Sequence, residues 1–477
     1  MKENLAKERS EKRSRLKIGL QWMRRHASFC TMILLMLISL EVMLNIRPWK
    51  RAGKDGRIIS WDVTSYYGYL PAYFIHHDLS LDFIDGNEQY YHDTQRFWPE
   101  YTASGKKVIK TTLGMSMAYA PFFLIAHWDT LRAGNYEADG FTTPYELALA
   151  WSCLFYFLIG LYFLRKLLRL SFDEWTVACT MIGIYLGTNL FYYTSTQPCM
   201  SHAYLFSAMC GYLYAGIRWK QSGLWKYAIT MGLLAGWMCL TRPTMFFLCL
   251  APFLYMQRSF KEEVEFLRKH WLQILLMAFC ALLVIFPQVW YWKTVTDHWL
   301  YLSYGEERFY FLNPHISDFL FSYRKGWFLY TPIMFFTCFG FMTLYKRQRG
   351  LFWMSMLPIL ALIYVNSSWW CWWYGGSFGQ RAMVESYVLM AIPLASLIQC
   401  VKHRSNSTFV IAGVLLGMCM GLNLFQSHQA RRGLIHWDSM TKESYWDVFL
   451  NMEPKNYRQS LRQPDYDHAK KGLEEFE

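Results

Sequence analysis

Apolar residues run in long stretches along this chain, separated by short polar or basic ones. The runs at Thr31–Leu40, Trp271–Trp292 and Ser407–Phe425 belong to segments of bilayer-crossing length, which takes roughly 20 helical residues. Several carry no charge, whereas a soluble core helix would show polar residues at helical spacing. The pattern predicts an all-α polytopic membrane protein with about eleven spans. They fall near 27–46, 144–165, 174–194, 200–217, 225–241, 243–257, 271–293, 326–345, 351–366, 380–400 and 408–426. The pair around Arg242-Pro243 is short for two crossings. A further apolar stretch, 113–131, holds Pro121, His127 and Asp129 and reads as an interfacial or re-entrant helix.

Charge orients this pattern. Met1–His26 is strongly basic, and the short connections at 164–175, 218–226, 257–270, 345–350 and 401–407 are basic or mixed. Cytoplasmic loops carry such an excess of Lys and Arg. The N-terminus is therefore expected in the cytoplasm, as a tail over 1–26 ahead of a transmembrane domain over 27–426. The segments 47–143 and 294–325 and a C-terminal tail over 427–477 then fall on the other side. No small-residue cleavage site follows the first apolar run, so it reads as an uncleaved span.

Composition changes little: 54% of residues are hydrophobic, a mild excess over the roughly 45–50% of soluble domains. The net charge of +13 sits in loops between spans, so nucleic-acid binding is not expected. The twelve cysteines form no CxxC pair and mostly lie in apolar runs, where they read as small packing residues. Only Cys199 and Cys371 fall near one membrane face. No phosphate-binding glycine loop, HExxH or outer-loop DxD is present, so neither a cofactor nor a metal is indicated. No internal repeat of the kind many transporters show is visible.

Chemistry concentrates in three stretches. Trp61-Asp62 leads into Tyr66, Tyr69 and Tyr73, spaced for one helical face, with Asp62 either capping that helix or acting as a catalytic acid or base. Lys110-Thr111-Thr112-Leu113-Gly114 opens the interfacial helix, at a depth where a lysine meets lipid phosphate. Trp369-Trp370-Cys371-Trp372-Trp373-Tyr374 precedes three glycines and Arg381. An arginine at the mouth of a span needs an anion, either a ligand phosphate or Glu385 one turn on. Arg242 at a proline break and His202 at a span end are second-rank candidates.

In order and spacing, Asp62, Lys110–Gly114 and Gly379-Gln380-Arg381 resemble the GT-C glycosyltransferases, the fold class of protein O-mannosyltransferases and lipid A aminoarabinose transferases. The likeness spans roughly 47–400. Where that family often has two tandem acids, Val63 follows Asp62, and Asp139 is a loose match to a second outer acid. The resemblance implies a polyprenyl-phosphate-linked sugar as donor and a hydroxyl acceptor on a lipid, glycan or protein. It implies Asp62 as general base, with Asp139 as a second acid, and inversion at the anomeric carbon. Lys110, Arg381, Arg242 and His202 would hold the departing phosphate. Tyr66, Tyr69, Trp372, Trp373 and Glu385 would contact substrate. The expected setting is a bacterial inner membrane with a periplasmic or extracellular site. A lipid-linked-sugar flippase and a polysaccharide polymerase or ligase are the competing readings.

Overall fold

In lipid each backbone N–H must find its partner within the segment, so the apolar runs close into helices. The structure is a computed structural model, and it describes residues 21–50, 58–85, 96–256, 259–455 and 457–473. The basic run over 1–20 lies outside the described residues. The long helices are α1 (Ala27–Ile46), α2 (Gly114–Ala133), α3 (Thr143–Leu168), α4 (Glu174–Leu186), α5 (Ser201–Ser222), α6 (Trp225–Thr241), α7 (Trp271–Thr296), α8 (Pro332–Arg347), α9 (Arg349–Ser367), α10 (Tyr387–Lys402) and α11 (Asn406–Arg431). Among the described residues, the sole sheet pairs β1 (Pro99–Tyr101) antiparallel to β2 (Lys107–Ile109), with Glu100 opposite Val108.

Among the described residues, six helical segments are long and apolar enough to cross a membrane: α1, α3, α7, α9, α11 and Arg381–Lys402, which contains α10. The other expected spans are helical but shorter or more polar. The span expected over 243–257 is not one helix: it splits into Met245–Cys249 and a 3-10 turn over Ala251–Leu254. Pro252 lacks the N–H that a continuing helix would use. The stretch expected to be interfacial is α2, a continuous helix of 20 residues with Pro121 inside it.

The helices share two chemically different ends. At one, Glu174 at the start of α4 accepts from Arg169 Nε (2.6 Å) and Arg165 Nη2 (3.4 Å) near the end of α3, and from Ser28 N (3.1 Å) at the start of α1. Lys402, closing α10, reaches Asp173 at 3.1 Å, and Lys220 in α5 pairs with Glu263 at 2.6 Å. The short basic connections thus gather on one end of the bundle. The segments before α10, after α6 and after α9 gather on the opposite end, roughly 30 Å away for a 20-residue helix.

Burial separates inner from outer helices: 78% of the apolar window of Arg381–Lys402 is buried against the protein, but only 11% of that of α11. Phe279, Leu282, Phe286, Val410, Val414 and Met418 point outward from α7 and α11, as a lipid-facing surface requires. Glycines allow the closest contacts. Gly232 and Gly236 of α6 lie on the backbone of α7 at Met277 and Ala281, and Gly340 of α8 lies on the Pro393 carbonyl of α10. All twelve cysteines are free thiols, so Cys199 and Cys371 are not bridged.

Beyond α11 the chain folds back over the end opposite the basic loops. Arg324 Nη1 donates to Asp438 O at 2.8 Å, Tyr466 Oη to Asp438 Oδ2 at 2.8 Å, and Tyr310 Oη to Lys470 O.

Gly340→Val would drive a branched side chain into the Pro393 carbonyl. A cost of about 1–3 kcal/mol is expected, read as a lowered thermal unfolding midpoint in detergent. An unchanged midpoint would show that α8 and α10 do not approach this closely.

Candidate active site

Asp62 opens a six-residue helix, Asp62–Tyr67, but does not cap it: the N-cap position belongs to Trp61, and no side chain caps the turn. The capping role open to Asp62 from sequence is therefore not the one it plays. Its carboxylate turns instead to Arg381, with Nη1–Oδ2 at 2.8 Å. Trp61 itself has φ +50°, costly for a bulky residue, and its 60% exposed ring lies edge-on to exposed Trp98 at 6.0 Å between centroids.

Arg381 is positioned by the glycine-rich turn before it. Tyr374, Gly375 and Gly379 all have positive φ, and a side chain at Gly379 would press on Tyr330 Cβ. The turn is pinned on several sides. Phe378 O accepts from Asn189 Nδ2 (3.0 Å) and Tyr193 Oη (3.3 Å), Ser377 N donates to Trp437 O (3.2 Å), and Gln380 Nε2 donates to Trp372 O (3.1 Å). Arg381 Nε is buried and has no hydrogen-bond partner among the described residues. An orphaned buried donor of this kind is costly and marks a place for an acceptor.

A second ion cluster adjoins the first. Glu385, one turn beyond Arg381, pairs with Arg242 Nη1 at 2.7 Å and with His202 Nδ1 at 2.9 Å, rather than with Arg381. A carboxylate only accepts, so the Nδ1 proton points to Glu385. Arg242 also lies over the Tyr374 ring, 5.7 Å from its centroid. Glu385 is 2% exposed, and its Oε2 has no hydrogen-bond partner among the described residues.

Lys110 joins from the first loop. Thr111, next in the chain, donates to Ser65 Oγ on the Asp62 helix from N (3.3 Å) and Oγ1 (3.0 Å). Trp237 Nε1 donates to Gly114 O at 2.6 Å, and Gly114 packs directly on Thr241, beside Arg242. Lys110 pairs with Glu307 at 2.7 Å and Glu100 at 3.5 Å, and lies 5.5 Å from the Tyr304 ring centroid. Desolvation pulls its amine down, but Glu307 and Glu100 outweigh it and hold the pKa above the usual lysine value. Tyr66 and Tyr304 lie within electrostatic reach of Asp62, Arg242 and Arg381, and Tyr304 of Glu307 as well.

Six of the residues singled out from sequence thus meet at one end of the bundle, with Tyr66 beside them: Asp62, Lys110, Arg381, Arg242, His202 and Glu385. Others do not join them. Asp139 is buried in its own loop, accepting from Phe141 N (2.7 Å) and Thr142 N (3.0 Å) and pairing with Arg96 (2.9 Å). Tyr69 is buried, with its hydroxyl on Thr111 O at 2.7 Å, while Tyr73 is 58% exposed. Gly68, between Asp62–Tyr67 and Tyr69–Phe74, keeps helical dihedrals, yet the three tyrosines differ in environment: Tyr69 is buried and Tyr73 is exposed. Trp372 and Trp373 are fully buried and offer no open face to a sugar. Among the described residues, no group of three or more His, Cys, Asp or Glu is arranged to hold a metal ion. Glu307 and Tyr304 were not singled out from sequence. Their one signal, a polar patch in a loop between spans, does not distinguish them from solvated loop residues.

Comparison with known proteins bears on the fold. Residues 142–292, roughly a third of the chain, match the family model for dolichyl-phosphate-mannose-protein mannosyltransferase. That stretch holds His202 and Arg242 but not Asp62, Lys110 or Arg381. The archaeal oligosaccharyltransferase AglB from Archaeoglobus fulgidus, solved with an inhibitory peptide and a dolichol-phosphate, superposes with a TM-score of 0.50 at 12% identity, covering 93% of this chain and 61% of that one. The likeness to AglB is one of fold. A second A. fulgidus oligosaccharyltransferase structure, tethered to an acceptor peptide, aligns at a TM-score of 0.49 and 12% identity, over 96% of this chain and 60% of that one. The chain spans about three-fifths of the length of these oligosaccharyltransferase structures. No curated protein matches it.

Arg242→Met would leave the Glu385 carboxylate with His202 as its remaining partner, at a cost of up to about 3–5 kcal/mol. The double variant Arg242→Met/Glu385→Met should recover much of that loss. Thermal unfolding of the two variants beside the parent checks the order; a double variant less stable than the single one refutes it.

Proposed function

We propose that this chain is a membrane glycosyltransferase that moves a sugar from a polyprenyl-phosphate donor to a hydroxyl acceptor. The observation that carries the reading is the pair of Asp62 and Arg381, a carboxylate on a guanidinium that keeps a buried, unpartnered Nε. Arg242 and Lys110 stand nearby as further cations. A phosphate group offers the oxygens that Arg381 lacks, and the guanidinium fork binds two of them at once. In taking that fork, the phosphate competes with Asp62 and releases it.

The chemistry then balances without a further reactant. Asp62 takes the proton of the acceptor hydroxyl. The acceptor oxygen forms a bond to the anomeric carbon, while the bond from that carbon to the phosphate oxygen breaks. Polyprenyl phosphate leaves with its new charge held by Arg381, with Lys110 and Arg242 adding positive potential. One displacement of this kind inverts the anomeric centre. His202 and Glu385 act through Arg242, which they fix in place. The basic loops on the far end of the helices favour a site on the non-cytoplasmic side, in a bacterial inner membrane. The match to a mannosyltransferase family model and the AglB-like fold support a lipid-linked donor. The clustering of polar groups at one end favours an enzyme over a flippase, which needs them along a path through the membrane.

The test is transfer by purified protein in detergent from labelled polyprenyl-phosphate sugars. A sugar–acceptor bond formed without sealed vesicles is expected; movement of the lipid-linked sugar in sealed vesicles, with no new bond, would make the protein a carrier. Asp62→Asn should lower kcat by about 10²–10⁴-fold, measured per folded protein, because losing the anion of Arg381 also lowers the unfolding midpoint. Because Asp62 competes for Arg381, the same variant should bind polyprenyl phosphate more tightly. Near-normal turnover would remove Asp62 from the chemistry. Arg381→Ala should weaken polyprenyl phosphate binding, and unchanged affinity would remove Arg381 from that role.

A further inference from the structure

Lys325 is a fully buried cation next to the site that the proposed mechanism does not use. It lies in the turn Ser322–Gly326, between the short helix Ile316–Phe321 and the turn Trp327–Tyr330 that leads into α8. Its Nζ donates to the carbonyl of Ser377, inside the glycine-rich turn that carries Arg381. The other bonds pinning this turn come from neutral groups: Asn189, Tyr193, Gln380 and the Trp437 backbone. Lys325 supplies a cationic pin when protonated, and its bond is then roughly twice as strong as a neutral one.

The charges facing Lys325 are Asp438 on the C-terminal tail, Arg381 and Arg324, with the Cys371 thiol close by. Burial pulls the lysine down to about 7, opposed by Asp438 and reinforced by the two arginines. Burying an amine beside two guanidinium groups is expensive, and an apolar side chain of similar size would fill the space at lower cost. A device that costs stability here and holds one backbone carbonyl points to a role in geometry.

We propose that Lys325 is a positioning residue, which fixes the Gly375–Gly379 turn through the Ser377 carbonyl and so sets where Arg381 meets the phosphate of the donor. The inference rests on the reading of Arg381 as the phosphate-binding group. It also gives the C-terminal tail a part in the site, because Asp438 balances the charge of Lys325.

Two variants test it in the full chain. Lys325→Met removes the donor but keeps the volume, and Asp438 retains Tyr466, Ser439 and His436 as partners, so the fold is expected to survive. Lys325→Gln keeps a neutral donor in reach of Ser377. Hydrogen exchange followed by mass spectrometry should show peptides over 375–381 exchanging about tenfold faster in K325M, from the loss of one charged hydrogen bond, while α10 is unchanged. Polyprenyl phosphate, used as the probe, should bind about tenfold more weakly to K325M, and K325Q should fall between K325M and the parent in both measurements. Unchanged exchange in K325M, or K325Q as impaired as K325M, overturns the proposal. Faster exchange with unchanged affinity for polyprenyl phosphate also overturns it. Exchange is read with no ligand present, so failure of the parent protein to bind polyprenyl phosphate counts against the proposed function and leaves the exchange result to decide on Lys325.

Discussion

A buried guanidinium must have an anion, and Arg381 finds its own 319 residues away in Asp62. Much of the architecture at this end of the bundle follows from that requirement. The glycine-rich turn aims Arg381 inward. The short helix from Asp62 is held by Ser65 on the Lys110–Gly114 segment, and that segment leans on the end of α6, where Arg242 begins its own pairing with Glu385. Each ion pair closes a contact between segments far apart in sequence, and together they draw an acid and three cations toward one region.

The pairs also leave the site nearly balanced in charge. Arg381 has Asp62, Arg242 has Glu385, Lys110 has Glu307 and Glu100, and Lys325 faces Asp438. Under the proposed function, an incoming phosphate binds by exchange with a carboxylate, and the orphaned Nε of Arg381 favours a ligand with several acceptor oxygens. In that reading the displaced carboxylate is Asp62, the group proposed as base.

Local sequence carried some of this and missed the rest for identifiable reasons. Arg381 stood out because a charge at a span mouth is costly whatever its partner, and Asp62 because it starts a tyrosine-bearing helix in the first outer loop. Glu307 and Lys325 did not stand out, because in a loop between spans a charged residue costs nothing until the fold buries it. Asp139, Trp372 and Trp373 stood out and did not join the site. An aspartate that ties its own loop, or a tryptophan under a turn, carries the same local signal as one facing a ligand. The split of 243–257 and the continuity of α2 were equally hard to see, since proline marks a weakness in a helix without saying whether packing will carry the chain through it.

The linear pattern alone determined that the chain is a helical membrane protein, where its helices begin within a few residues, and that its basic loops would gather at one end. These follow from hydropathy, backbone hydrogen bonding and charge, which act locally. Only the tertiary structure decided which charges are buried and which partner each one takes. Pairing is a contest among all groups brought within a few ångströms, and the glycine contacts between α6 and α7 and between α8 and α10 help decide which groups those are.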